Sequence, residues 1–164
     1  MKHDRTHRHF LELIHKHQSI IHKICFVYCK NRYDREDLQQ EIILQLWKSF
    51  PSFQGKAAFS TWMYRVALNT AINQTRRPRL LIDSSSSPEP SYDPSESYSH
   101  SEEIQILYQA ISKLKKIDKA IILLWLEERS YEEIAEIIGI TVKHVSVKLV
   151  RIRARLTEII SNPK

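Results

Sequence analysis

The chain has 164 residues, 42% of them hydrophobic, with a formal net charge of +6 and an isoelectric point near 9.3. That is room for one medium domain or two small ones, and the basic balance favours an anionic partner. Two cysteines make no disulfide framework, and the longest apolar run, near Ala120 to Leu126, is far too short for a bilayer, so a secreted scaffold and a membrane-inserted protein are both excluded and a reducing cytoplasm is expected.

The first predicted element runs from His9 to about Arg32 as one helix. Phe10, Leu13, Ile14, Ile21, Ile24, Cys25 and Tyr28 fall near one stripe, the pattern of a face turned to a core. The histidines His3, His7, His9, His15 and His17 read as a solvated, weakly basic end. His22, Cys25 and Cys29 have metal-ligand spacing, but only three ligands are in view and Cys25 belongs to the apolar stripe, so a buried thiol is the better reading. No metal or other cofactor is called for.

"DREDLQQEIILQLWKSF", Asp34 to Phe50, is the second helix, with Asp34 as its expected cap. Leu38, Ile42, Ile43, Leu46, Trp47 and Phe50 form a broad apolar face. Asp37, Gln40, Glu41, Gln45 and Lys48 form a polar one. Pro51 ends the helix.

"FSTWMYRVALNTAINQTRR", Phe59 to Arg77, interleaves rings, amides and cations. Trp62, Val66 and Ala67 can pack inward, while Tyr64, Arg65, Asn69, Asn73, Arg76 and Arg77 remain available. Such a set suits single-stranded nucleic acid, where bases stack, phosphates pair and base edges hydrogen-bond.

Asp83 to Glu103 differs from everything around it. It is rich in Ser and Pro, acidic, and free of Lys and Arg. It has too little apolar surface to offset chain entropy and reads as a flexible linker. The chain therefore divides into a helical unit at 8–78, a linker at 79–103 and a helical unit at 104–160, an all-α protein of two small domains.

The last stretch, "SYEEIAEIIGITVKHVSVKLVRIRARL", Ser130 to Leu156, contains one of only two glycines. Ser130 and Glu133 have capping-box spacing. Tyr131, Ile134, Ala135 and Ile138 share a helical face. Gly139 fits the left-handed position after a helix, and Thr141 can cap the next one. There Val145, Leu149, Ile152 and Leu156 share a face, while Lys143, His144, Ser146, Lys148, Arg151, Arg153 and Arg155 lie outside it. An ordinary helical hairpin would explain the turn, but the one-sided basic helix points to a DNA-binding helix-turn-helix. Val147 and Val150 also fall outside the apolar face, where they could meet thymine methyls or a protein.

The order "DLQQEIILQLW", "FQGKAAFSTWMYRVALNTAINQTRR", linker, "SYEEIAEIIGITVKHVSVKLVRIRARL" resembles the extracytoplasmic-function (ECF) sigma factors, the smallest members of the sigma-70 family. The resemblance implies two helical domains. One binds the β′ clamp helices of core RNA polymerase and opens the −10 promoter element; the other binds the −35 element and touches the β flap. It gives Asp37, Gln40, Glu41 and Gln45 a polymerase-binding role. It sets Asn69 at a break between two helices, in the loop where the family holds a flipped-out base, matches Trp62 and Arg65 to the family's "TW-x-YR" core, and aligns Lys143 to Arg155 with the −35 helix. It also implies an anti-sigma factor as partner. The family often has small residues and threonine where Lys143 and His144 stand, a basic residue where Ser146 stands, and arginine where Lys148 stands. An enzyme is not expected: there is no phosphate-cradling loop and no nucleophile with a base. A conventional helix-turn-helix regulator would explain the last stretch equally well, but would leave the first unit's clusters without a role.

Overall fold

The computed structural model describes residues 1–74 and 101–162. Arg76, Arg77 and linker residues 79–100 lie outside the described residues. The elements are α1 (Lys2–Lys16), α2 (Gln18–Tyr28), α3 (Arg32–Ser49), a one-turn 3-10 segment (Phe50–Ser52), α4 (Phe59–Gln74), α5 (Glu102–Ser112), α6 (Lys116–Leu126), α7 (Tyr131–Ile138) and α8 (Val142–Ser161). No strand occurs among the described residues, and no helix among them is long and apolar enough to cross a membrane.

The expected first helix is two helices. The chain breaks at His17, where φ is −110° and ψ 16°. The break takes a single residue, and Phe10 and Ile14 before it are buried along with Ile21, Ile24, Cys25 and Tyr28 after it. The apolar phase runs straight through, with no Gly or Pro to mark the interruption. The half-buried His17 ring lies 5.4 Å from that of Phe59.

The cap of α3 is Asn31, not Asp34. Asn31 Oδ1 accepts from the Asp34 backbone N–H at 2.9 Å, and Asn31 Nδ2 donates to Asp34 Oδ2 at 2.8 Å. Two residues thus satisfy each other at the helix start. Leu38, Ile42 and Leu46, one turn apart, are fully buried; Ile43 and Phe50 are half-buried and Trp47 lies at the rim.

Helix α4 is continuous through Asn69, with no break there. Met63, Tyr64, Ala67, Leu68, Ala71 and Ile72 are its buried residues, a regular i, i+4, i+8 double row that packs on α2 and α3.

In the second half, α7, its turn and α8 form as the sequence predicts. Ser130 Oγ accepts from the Glu133 N–H at 3.1 Å. Gly139 has φ 84° and ψ 37°, left-handed, and its N–H donates to the Ala135 carbonyl at 2.9 Å. A Cβ at Gly139 would meet nothing within 4 Å, so the demand for glycine is conformational alone; any side chain there costs roughly 1 kcal/mol. Thr141 Oγ1 accepts from the His144 N–H at 3.1 Å. Val145, Leu149, Ile152 and Leu156 are all buried. On α7 the inward residues are Ile134, Ala135 and Ile137; Tyr131 is exposed, because the short helix rotates toward α6 and α8, its main contacts.

The halves meet along a seam of α2 and α4 with α5, α6 and α7, and their apolar side chains form one continuous core. Polar contacts rim it. Lys23 pairs with Glu127 at 2.5 Å, Tyr28 Oη donates to the Lys116 carbonyl at 2.6 Å, and Arg65 pairs with Glu136 at 3.2 Å. In the α6–α7 turn Glu128 takes φ 60°, a strained value for a residue with a side chain.

Candidate nucleic-acid interface

Helix α8 is positioned by the left-handed turn at Gly139 and by its four buried residues, which fix its rotation about its own axis. Lys143, His144, Val147, Val150 and Arg151 consequently face solvent, with Arg153 and Arg155 exposed further along. Residues 142–157 contain no acid. The structure separates the predicted cations into two sets. Lys143 and Arg151 stand on the outward face. Lys148 turns sideways and pairs with Asp118 of α6 at 3.2 Å; Lys148 and, on the opposite flank, Ser146 are half-buried. The Arg153 guanidinium lies 5.3 Å from the centre of the Trp125 ring, and Arg155 pairs with Glu158 at 3.0 Å. Lys143 and Arg151 are therefore the cations best placed for phosphate or base edges.

On α4 the predicted set also divides. Asn69 and Asn73 are exposed on the helix surface, one turn apart. Arg65 is half-exposed but held by Glu136. Tyr64, expected at the surface, is only 2% exposed: it falls in the buried row with Met63 and Leu68, so its ring is core. Burial, with the Glu127 carboxylate beside it, pushes its hydroxyl well above the ordinary tyrosine range. Trp62 sits in an aromatic cluster, its ring 5.1 Å from Phe53, 5.5 Å from Phe59 and 6.3 Å from Phe50. That packing holds the start of α4 against the end of α3.

The polar side of α3 carries exposed Asp37 and Gln40 and half-buried Glu41 and Gln45. Gln45 Nε2 donates to Glu41 Oε1 at 2.9 Å. Gln74 Nε2 donates to Asp37 Oδ2 at 2.9 Å, tying the end of α4 to this face. Sequence reasoning missed what lies beside it. Helix α1 folds along α3, with Phe10 5.0 Å from the Trp47 ring and His7 5.3 Å from it. Between the helices runs a shallow groove of about 310 Å³ lined by His7, Phe10, Leu11, Gln40, Ile43, Leu44 and Trp47. The one available signal was Leu44, an apolar residue on the polar side of the predicted helix.

Among the described residues no three His, Cys, Asp or Glu side chains gather around a point that could hold a metal ion. Cys25 is buried, and burial foremost, then Cys29 nearby, pushes its thiol up to about 12. His22 is exposed.

Both halves of the chain match known families. Residues 13–80 match the sigma-70 region 2 family, and residues 104–156 match the sigma-70 region 4 family. The chain is similar to the ECF RNA polymerase sigma-E factor of Haemophilus influenzae, 35% identical over 141 residues, covering 75% of this chain and 72% of that one. It is also similar to the RNA polymerase sigma factor YlaC of Bacillus subtilis, 32% identical over 128 residues and 74% of each chain. Among solved structures, the sigma factor RpoE of Bartonella quintana, crystallised with the anti-sigma factor NepR, has the same fold, with a TM-score of 0.73 over 96% of this chain and 99% of that one at 21% identity.

Proposed function

Because the chain belongs to the ECF group of the sigma-70 family, and so is a sigma factor that directs RNA polymerase to promoters, we propose that its two halves divide the work between them. The unit at 8–78 binds core polymerase and the −10 element, the unit at 104–160 binds the −35 element, and residues 79–103 join them.

Lys143, His144, Val147 and Arg151 on α8 read and grip the −35 duplex. The observation that carries this is the exposed, acid-free face of a helix whose start is set by the Gly139 turn and the Thr141 cap. Asn69 and Asn73, with Arg65 once it leaves Glu136, meet the opened −10 strand; an amide offers a base edge both a donor and an acceptor. Asp37, Gln40, Glu41 and Gln45 face the β′ clamp helices, and the groove beside Gln40 gives that contact an apolar floor. The regulator that binds an operator alone loses its footing, since residues 13–80 match sigma-70 region 2.

The cytoplasm, where polymerase works, is the site of action. An anti-sigma factor is a further partner, in keeping with the two similar structures solved as complexes with the anti-sigma factor NepR and with the cytosolic domain of CnrY.

Run-off transcription with purified core polymerase on a promoter library tests the whole reading. Sequence-selective transcripts should require both the chain and core. Glu41→Lys with Gln40→Ala should weaken core binding while leaving thermal unfolding unchanged. Promoter-specific binding by the chain without core, and no transcript with it, would overturn the proposal.

A further inference from the structure

We infer that Val147 and Val150 form an apolar reading edge on α8 that receives thymine methyl groups of the −35 duplex. The inference rests on the promoter-binding reading above and adds to it which base is read, and by what.

Val147 and Val150 are 41% and 68% exposed. They stand one turn apart, on the side of α8 opposite Val145, Leu149, Ile152 and Leu156, all of which are buried. Neither reaches the core, so the fold gains nothing from their apolar character. Helix formation gains nothing either, because β-branched residues are poorer helix formers than alanine. Two such residues adjoining on an outward face form a surface that leaves water only in a complex.

Their neighbours identify the complex. Lys143 lies one turn before Val147, and Arg151 one turn after it; both are exposed. A partner for this face must therefore be anionic at its edges and apolar at its centre. Major-groove DNA has that arrangement. Phosphates line the groove walls, and the one apolar group on its floor is the C5 methyl of thymine. A valine offers no donor or acceptor, so it cannot read the rest of the base edge. What it discriminates is a methyl from its absence. Val147 and Val150 are in the first half of α8, the half that a helix-turn-helix presents to bases.

Deoxyuridine tests this directly, because it pairs as thymidine does and lacks only the methyl. Polymerase holoenzyme carrying the full chain is titrated, by fluorescence anisotropy, onto a promoter duplex selected from the library. Each thymine of the −35 element is replaced in turn by uracil. The wild-type protein should lose about fourfold in affinity at one or two positions, the worth of one methyl withdrawn from water. Val147→Ala or Val150→Ala should bind the thymine duplex about as weakly and no longer distinguish it from the uracil duplex. Both variants should melt as the wild type does, since the substituted side chains are exposed. If the wild type keeps its promoter preference yet ignores every thymine-to-uracil exchange, the valines face something other than DNA and the inference fails with the promoter reading intact. Loss of all promoter preference in the wild type would remove that reading, and the inference with it.

Discussion

Arg129 Nη1 donates to Thr61 Oγ1 at 2.9 Å across the seam between the two halves. Its Nη2 donates to Ser60 Oγ at 2.8 Å, and its guanidinium stands 5.7 Å from the centre of the buried Tyr64 ring. One planar fork thus engages two consecutive residues at the start of α4, a geometry an ammonium cannot reproduce. Arg129→Ala should weaken the seam by about 1–3 kcal/mol, and Arg129→Lys by nearly as much. Small-angle scattering should then report a larger radius of gyration. Unchanged compactness in both variants would mean that the apolar contact of α2 with α5 closes the molecule unaided.

The two kinds of cation on α8 should behave differently. Arg151 is exposed and makes no ion pair with the described residues, so Arg151→Ala should lower promoter affinity by about 1–3 kcal/mol at a base-edge contact and leave the melting temperature alone. Lys148 is held by Asp118, so Lys148→Ala should act mainly on stability. A double-mutant cycle with Asp118→Ala reads that coupling, expected at about 1 kcal/mol or less for a partly exposed pair. Equal effects of both substitutions on DNA binding would put Lys148 at the interface as well.

Asn69 and Trp62, seven residues apart on α4, should separate melting from folding. Asn69 is exposed, and Asn69→Ala should slow open-complex formation on native promoters far more than on templates with a premelted −10 bubble, because extruding a base costs a few kcal/mol that the amide's proposed contact helps to offset. Trp62 packs on three phenylalanine rings. Trp62→Ala should lower the melting temperature, with a loss of about 2–3 kcal/mol for a partly buried ring. An equal loss on native and premelted templates would assign Asn69 to general DNA affinity.

Cys25 should be chemically silent in the folded protein. With its thiol pushed up to about 12, only about one molecule in ten thousand carries the reactive thiolate at pH 8. Half-buried Cys29 should therefore take iodoacetamide first, and Cys25 only in denaturant. Rapid native labelling of both would mean that α2 opens readily.

Local chemistry was legible in the sequence. Ser130, Gly139 and Thr141 act through atoms within five residues of themselves, so spacing alone located α7, its turn and α8. The stripe of Val145 to Leu156 was equally plain. What escaped depends on distant partners. His17 interrupts a helix without disturbing its apolar phase, and the Phe59 ring beside it is far off in sequence. Tyr64 looked accessible because its neighbours Arg65 and Asn69 are polar; its burial follows from which way α4 turns against α2 and α3. Asn69 was expected at a break because the resemblance sets a base-holding loop there, yet the rows of buried residues on both sides carry the helix through it. Arg129 had no local signature at all.

The rim of the seam also sets how the protein answers to ionic strength. Lys23–Glu127 and Arg65–Glu136 both reach solvent, the second with side chains 42% and 74% exposed, so added salt screens them and favours separation of the halves. The same salt should weaken the phosphate contacts proposed for α8 as counterions compete for the duplex. On the proposed division of work the two responses oppose each other: one would free Arg65 for the −10 strand, the other would loosen the grip on the −35 element. Transcription by this factor should therefore peak at an intermediate salt concentration, and Glu136→Gln, which removes one of the pairs, should move that peak toward lower salt.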